Sequence, residues 1–396
     1  MQSMLNKMLK MIHKFREYRG LNESAKEEYH RDHLGIPTKD PGIDVAIDCG
    51  ISWLSLGQDK SISKDGGVAR HYSLIDGWGP SYPETTGYII PTMVEYARLR
   101  GNEIVRQRAK RMVRWLVSIQ LSCGGFQGGM IDSKPVVPVT FNTGQILLGL
   151  ACGVREFGDE FRKPMCGAAD WLVDTQDSDG CWRKYPTPFA APGEKAYETH
   201  VAWGLLEAAR LEPGRGYAEA ARKNVRWALS LRKENGWFEK CCLTDSTQPL
   251  THTLGYALRG ILETYKFTGD SALLKASLKT AEGLLTALGE DGFLPGRLNS
   301  DWKGTVKWSC LTGSVQVAIC WMLLYQHTGE VRLKNAALSV NRFVRRTMKI
   351  GDPPETRGAI KGSFPVYGDY CTYEFPNWAC KFFVDANVLE KALRGG

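Results

Sequence analysis

The sequence predicts an all-α fold, a closed (α/α)6 toroid of about twelve helices set in inner and outer rings. Three observations carry that reading. A glycine turn recurs about every 56 residues, each copy behind one amphipathic pattern and ahead of the next. The copies read Asp65-Gly66-Gly67-Val68, Cys123-Gly124-Gly125-Phe126, Asp179-Gly180-Cys181-Trp182, Asn235-Gly236-Trp237-Phe238 and Asp291-Gly292-Phe293-Leu294, with a looser sixth at Lys361-Gly362-Ser363-Phe364. A fixed period of that length marks an array of identical supersecondary units. Two helical patterns fit between successive turns. Finally, the chain ends are complementary: residues 44–56 read as a second helix lacking its first, and residues 375–393 as a first helix lacking its second. Joined, they complete a sixth hairpin and close a ring. An open solenoid would need polar caps at both ends, and these segments are too apolar for that.

Taken in order, residues 1–42 form an amphipathic helix and linker, and residues 43–396 the toroid that carries catalysis. Thr86-Gly87 opens a helix running to about Leu99, and Arg100-Gly101-Asn102 breaks it. A second helix spans roughly Glu103 to Ile119, with Val105, Ala109, Met112, Val113, Leu116 and Ile119 at the three- and four-residue spacings of one buried face. Later repeats copy the plan. Thr86, Thr143, Thr199, Thr253 and Thr312 mark the first helix of each, 54 to 59 residues apart. A threonine hydroxyl there can accept from the orphan N–H groups of a first helical turn, so these residues read as helix caps. The glycine turns read as ties between one outer helix and the next inner one.

Composition bounds the function. No stretch approaches the ~20 apolar residues of a membrane span, and no leader pattern is visible. The eleven cysteines include no CxxC pair, which reads as reduced thiols without structural zinc, in the cytoplasm. A net charge of +8 suits an anionic ligand, but Arg106, Arg108, Lys110 and Arg111 read as a solvated outer face. No nucleic-acid-binding module is visible. In residues 1–18, Met1, Met4, Leu5, Met8, Met11, Ile12 and Phe15 make an apolar stripe against Lys7, Lys10, Lys14 and Arg16. Such a helix either packs on the toroid or rests on the inner face of an anionic membrane.

A closed toroid gathers the N-terminal ends of its inner helices at one mouth, where helix dipoles favour negative charge. The residues around the repeated threonines are polar and aromatic. Tyr82 and Glu84 precede Thr86, Asn142 precedes Thr143, Glu198 and His200 flank Thr199, and His252 precedes Thr253. Trp203 and Trp308 lie near Thr199 and Thr312, and Tyr373, Glu374, Asn377 and Trp378 open the closing helix. The loop before the first full repeat adds Arg70, His71, Asp76 and Trp78. Three of the seven histidines fall in this set. Tyr82, Glu84, Glu198, His200, His252, Tyr373 and Glu374 are the catalytic candidates, and Arg70, His71, Asp76, Trp78, Asn142, Trp203, Trp308, Asn377 and Trp378 the substrate-binding ones. Each has a structural alternative, as a cap, a satisfied buried histidine or core packing.

Gln120 to Phe126 and Gln176 to Trp182 resemble the Gln-to-Trp repeats of terpenoid cyclase and protein prenyltransferase toroids. The cyclases' DxDD run is missing, and Asp369-Tyr370-Cys371 is followed by no histidine to complete a prenyltransferase zinc set, the last being His327. A nearer likeness is carried by Ser81-Tyr82-Pro83-Glu84-Thr85-Thr86-Gly87-Tyr88-Ile89-Ile90-Pro91-Thr92 and by Pro376-Asn377-Trp378-Ala379-Cys380-Lys381-Phe382-Phe383-Val384-Asp385-Ala386. These resemble segments of the α/α-toroid proteins of bacterial exopolysaccharide loci, of the Vibrio biofilm polysaccharide type. The wider toroid neighbourhood includes glucuronyl C5-epimerases, polysaccharide lyases and six-hairpin glycosidases.

The resemblance implies a carbohydrate-active enzyme of polysaccharide biosynthesis acting on an anionic glycan or lipid-linked oligosaccharide. Its sharpest form is uronate C5 epimerisation or elimination, which needs a base, an acid on the other ring face and donors for the carboxylate. Tyr82, Tyr373 and His252 would exchange protons; Asn142, His200 and Arg70 would neutralise the carboxylate; Glu84 or Glu198 would orient a partner. No metal or cofactor is required. A glycosidase using Glu84, Glu198, Glu374 or Asp76 is an alternative, as are a glycan-binding scaffold and an isoprenoid enzyme.

Overall fold

The computed structural model describes residues 18–395. Its helices are α1 (Glu23–His33), α2 (Ile43–Lys60), α3 (Pro83–Arg100), α4 (Glu103–Ser118), α5 (Thr140–Phe157), α6 (Arg162–Asp174), α7 (Thr199–Leu211), α8 (Tyr217–Ser230), α9 (Thr251–Thr268), α10 (Ser271–Thr286), α11 (Leu311–Thr328), α12 (Val331–Thr347) and α13 (Asn377–Gly395). Helices α3, α5, α7, α9, α11 and α13 pack each on the next, and α13 returns to α3 to close an inner ring. Helices α4, α6, α8, α10 and α12 each back the inner helix before them, and α2 backs α13. The first and last helices of the toroid thus form the sixth hairpin. They approach so closely that a Cβ on Gly50 would stand 2.6 Å from Val384 Cγ2.

Burial follows the ring. Helix α5 is buried continuously from Thr140 to Val154, as an element with neighbours on every side must be, whereas α4 buries one stripe that includes Val105, Met112 and Leu116. None of the described helices is long and apolar enough to cross a membrane.

The glycine turns have a steric cause. Gly124 has φ +94°, and a Cβ there would meet Gly167 O at 2.3 Å, so the turn lies flat on the backbone of α6. The sixth such turn is at Gly358, not at Gly362 as the sequence reading placed it. Gly358 has φ +82° and faces Cys49 O of α2 at 2.2 Å. Glutamines then lock the turns. Gln120 Nε2 donates to Gly124 O at 2.8 Å and to Pro164 O at 2.9 Å, and Gln176 Nε2 to Gly180 O at 3.0 Å and Ala220 O at 2.9 Å. One amide therefore ties a turn carbonyl to a carbonyl in the first turn of the next outer helix.

The repeated threonines are not caps. Thr86 Oγ1 accepts from Val68 N at 3.0 Å and donates to Tyr82 O at 2.8 Å; Thr143 Oγ1 accepts from Phe126 N at 2.9 Å and donates to Val139 O at 2.8 Å. Thr86 and Thr143 sit four residues beyond the cap, where the hydroxyl reaches the i−4 carbonyl and its free lone pair stitches the glycine turn's apolar residue to the inner helix. Thr253 Oγ1 instead donates to Leu250 O and Cys241 O at 2.9 Å, and Thr199 Oγ1 to Ala257 O at 3.0 Å.

Helix α1, within the segment read as linker, docks through charge. Lys361 is buried between Glu28, at 2.7 Å, and Asp32. Asp32 Oδ2 also accepts from Val366 N at 2.7 Å, and Arg31 and Lys349 each reach Glu28 at 2.8 Å. The stripe from Met1 to Phe15 lies outside the described residues. Short strands β1 (His71–Ser73), β2 (Gly77–Trp78), β3 (Ser309–Cys310), β4 (Ser363–Phe364) and β5 (Glu374–Pro376) hold the mouth loops. β1 lies between β2 and β5, antiparallel to both, with Tyr72 opposite Phe375, and β3 pairs with β4.

Candidate functional site

Pro83 fixes the backbone at the first position of α3, so Tyr82 ends extended chain and Glu84 sits in the first helical turn. Both line a cavity of about 210 Å³ at the mouth, with Asn142 of α5, His252 of α9, Trp378 of α13 and Arg70 from the chain before β1.

Tyr82 OH donates to Glu84 Oε2 at 3.0 Å. Burial pushes the Glu84 carboxyl up to about 7, against the opposing pull of that hydrogen bond and of Arg70. Burial, and then the Glu84 charge, hold the Tyr82 phenol well above its usual range.

His252 Nδ1 lies 2.7 Å from Gln316 Oε1, and burial lowers the imidazole to about 4. An amide oxygen only accepts, so the amide as placed assigns the proton to Nδ1 and leaves Nε2 with a bare lone pair. Gln145 Oε1 and His200 Nδ1 repeat the arrangement at 2.6 Å, and His200 Nε2 has no partner. Both imidazoles stand 4.5 Å from the Tyr256 ring.

Arg70 Nη1 reaches Glu374 Oε2 at 3.0 Å and His71 Nδ1 at 2.6 Å, while its guanidinium lies 5.2 Å from the Trp378 ring. Trp378 is fixed in turn by an indole N–H donated to Tyr370 OH at 2.9 Å. An aromatic plane beside a cation suits a sugar ring bearing a carboxylate. Asn142 is buried, and its Nδ2 has no partner.

A second chamber of about 290 Å³ adjoins the first across Phe141, Thr187 and Tyr197, which line both. Glu198 lies there, its carboxyl raised to about 8 by burial against the pull of Lys195 and Arg183.

The structure therefore brings Arg70, Tyr82, Glu84, Asn142, His252 and Trp378 to one cavity and Glu198 to its neighbour. His71 and Glu374 flank Arg70, with His71 Nε2 3.8 Å from Glu374 Oε1. His200 lies buried between the mouth and the far end of the ring, where Trp203 stacks on Arg259 at 4.3 Å. The others hold the loops. Trp78 packs on Trp53 at 5.5 Å, Asp76 accepts from Ser73 Oγ at 3.4 Å, and Asn377 Nδ2 donates to Ala69 O at 2.8 Å. Trp308 covers Gly296, where a Cβ would meet it at 2.2 Å. Tyr373 has φ +58°, and its carbonyl accepts from Leu74 N at 2.9 Å. Sequence reasoning missed Tyr88, Tyr256 and the two glutamines. Tyr88 follows Glu84, and Tyr256 follows His252, by the four residues that share a helix face.

No protein-family model and no curated protein matches the sequence. Solved structures do resemble the fold. An unsaturated glucuronyl hydrolase specific for heparin superposes with a TM-score of 0.72 at 15% identity, covering 90% of this chain and 99% of that one. An unsaturated glucuronyl hydrolase from Bacillus sp. GL1 gives 0.67 at 15% identity, covering 89% and 97%. A D-mannose isomerase gives 0.70 at 12% identity, covering 90% and 99%. At such identities the likeness establishes architecture: the chain has the α/α-toroid fold of these proteins.

Proposed function

We propose that this protein is a carbohydrate-active enzyme that moves protons on a uronate-bearing glycan held at the toroid mouth. One observation carries the reading. A carboxyl poised near neutrality and bonded to a phenol, Glu84 with Tyr82, shares a cavity with a neutral imidazole, His252, and with a guanidinium lying against Trp378. Arg70 and Asn142 hold the uronate carboxylate, which drains charge from C5 as its proton leaves. His252 Nε2 takes that proton, and Tyr82 OH, oriented by Glu84, returns one to the opposite face, giving the C5 epimer. Loss of the 4-substituent instead of reprotonation gives elimination from the same intermediate.

Hydrolysis is the second reading, favoured by the value near 7 for Glu84. A carboxyl half-protonated at neutral pH can donate to a glycosidic oxygen while His252 activates water. The resemblance of the Ser81–Thr92 and Pro376–Ala386 segments to exopolysaccharide-locus toroids supports a place in polysaccharide biosynthesis. The test is NMR of uronate-containing glycans with the protein in D₂O, with ultraviolet absorbance followed alongside. Deuterium at C5 without cleavage identifies an epimerase, a new unsaturated-uronate absorbance a lyase, and new reducing ends alone a hydrolase. No change across a broad panel of glycans that bind the protein overturns the proposal.

A further inference from the structure

The chamber beside the mouth holds groups that the proposed chemistry leaves unused. Glu198 is buried, and its Oε2 has no hydrogen-bond partner. Lys195 lines the same chamber and makes no ion pair among the described residues. The neighbouring cations are committed elsewhere, since Arg183 binds Asp177, Asp179 and Glu194, and Lys240 binds Glu194. An orphaned buried oxygen is unfavourable until a ligand or water meets it. The first chamber carries its own orphan, Asn142 Nδ2. The two chambers meet where the rings of Phe141 and Tyr197 stand edge to face at 5.3 Å. At about 210 and 290 Å³, neither reaches the ~300–1,000 Å³ of an ordinary ligand site, whereas the two together do.

We propose that the second chamber is a saccharide subsite, so that the substrate is a glycan of at least two units, with an acidic unit beside Lys195 hydrogen-bonded to Glu198. This rests on the carbohydrate reading of the first chamber and adds substrate length and charge to it. Glu198 is then a binding residue. Its carboxyl O–H donates to a sugar oxygen, and Lys195 selects the anionic group. The Phe141–Tyr197 edge lies under the linkage between the two units.

The experiment is titration calorimetry on the Glu84→Gln protein, which keeps the cavity while silencing turnover, with three probes: glucuronic acid, a β-1,4-linked disaccharide of two glucuronates, and its neutral counterpart cellobiose. The disaccharide is expected to bind at least ~10-fold more tightly than glucuronic acid, and cellobiose more weakly than the disaccharide. Adding Glu198→Ala or Lys195→Ala reduces disaccharide affinity ~3–10-fold, the scale of one hydrogen bond, and leaves glucuronic acid unchanged. Glu198→Gln, which still donates an N–H, restores most of the loss, and circular dichroism confirms that each variant is folded. Equal affinity for the disaccharide and glucuronic acid, or an equal loss for both in Glu198→Ala, overturns the subsite and leaves the first chamber's reading standing. Tight disaccharide binding without turnover by the wild-type protein overturns the catalytic reading alone. Failure of all three probes to bind overturns both.

Discussion

Tyr82 and Glu84 are two residues apart in the chain and joined by a 3.0 Å hydrogen bond from phenol to carboxylate inside the toroid mouth. The bond orients an acid that burial keeps near neutrality. Glu84→Gln preserves the shape and the acceptor but removes the titration. Turnover is expected to fall ~10²-fold or more, with a nearly unchanged melting temperature. Steady-state kinetics beside calorimetry separates this from a structural role, which would lower both.

Glu198 makes stability depend on pH in a set direction. Burial pushes its carboxyl up to about 8 in the folded chain, against an ordinary glutamate value of 4.5. The folded state therefore holds a proton that the unfolded state has lost between those values, and stability falls as pH rises through that window. Glu198→Gln removes the dependence. The variant's melting temperature relative to wild type should climb from pH 5 to pH 9 in scanning calorimetry. A constant difference would contradict the burial argument.

Gln316 sets the tautomer of His252 through the 2.7 Å contact at Nδ1. Gln316→Leu frees the ring to protonate either nitrogen. The expected result is a ~10-fold loss of kcat with KM little changed, and a shift of the His252 imidazole signals in ¹⁵N NMR. An unchanged kcat with displaced imidazole signals would take His252 out of the chemistry.

Lys361 neutralises two buried carboxylates, Glu28 and Asp32. Lys361→Met strands Asp32 and leaves Glu28 to Arg31 and Lys349, and breaking a buried pair from one side costs about 3–5 kcal/mol. Urea unfolding should show that loss. A loss below about 1 kcal/mol would mean that Arg31 and Lys349 carry α1 without it.

The ring was legible because every repeat must lay a flat glycine turn against the next outer helix, and only a few sequences do so. The mouth followed from the geometry of inner-helix starts, which placed Tyr82, Glu84, Asn142 and His252 together. The sixth turn was not legible. Both Gly358 and Gly362 stand two residues before an apolar one, Ile360 and Phe364, and only the folded chain separates them, by the left-handed φ of Gly358 and its approach to Cys49 O. Gln145 and Gln316 were missed because their partners stand on neighbouring helices, where inter-helix register and not spacing decides contact. Trp78 and Trp308 look like sugar platforms by type, but packing against Trp53 and Gly296 commits them to the loops. Helix α1 was hidden because charges, not an apolar stripe, seat it.

The hairpin of α2 with α13 works as a buckle. Cys380 Sγ reaches Gly50 O at 3.4 Å, although the two residues stand 330 positions apart in the chain. Five hairpins can form from local contacts as the chain leaves the ribosome, but α2 carries its apolar face unsheltered until α13 arrives. The ring therefore fastens only once α13 has emerged. Loop-closure entropy grows only logarithmically, so this contact is thermodynamically tolerable yet kinetically late. A circular permutant with linked native ends and new termini in the α7–α8 loop would make the buckle local, and the late fastening would pass to a different pair of helices.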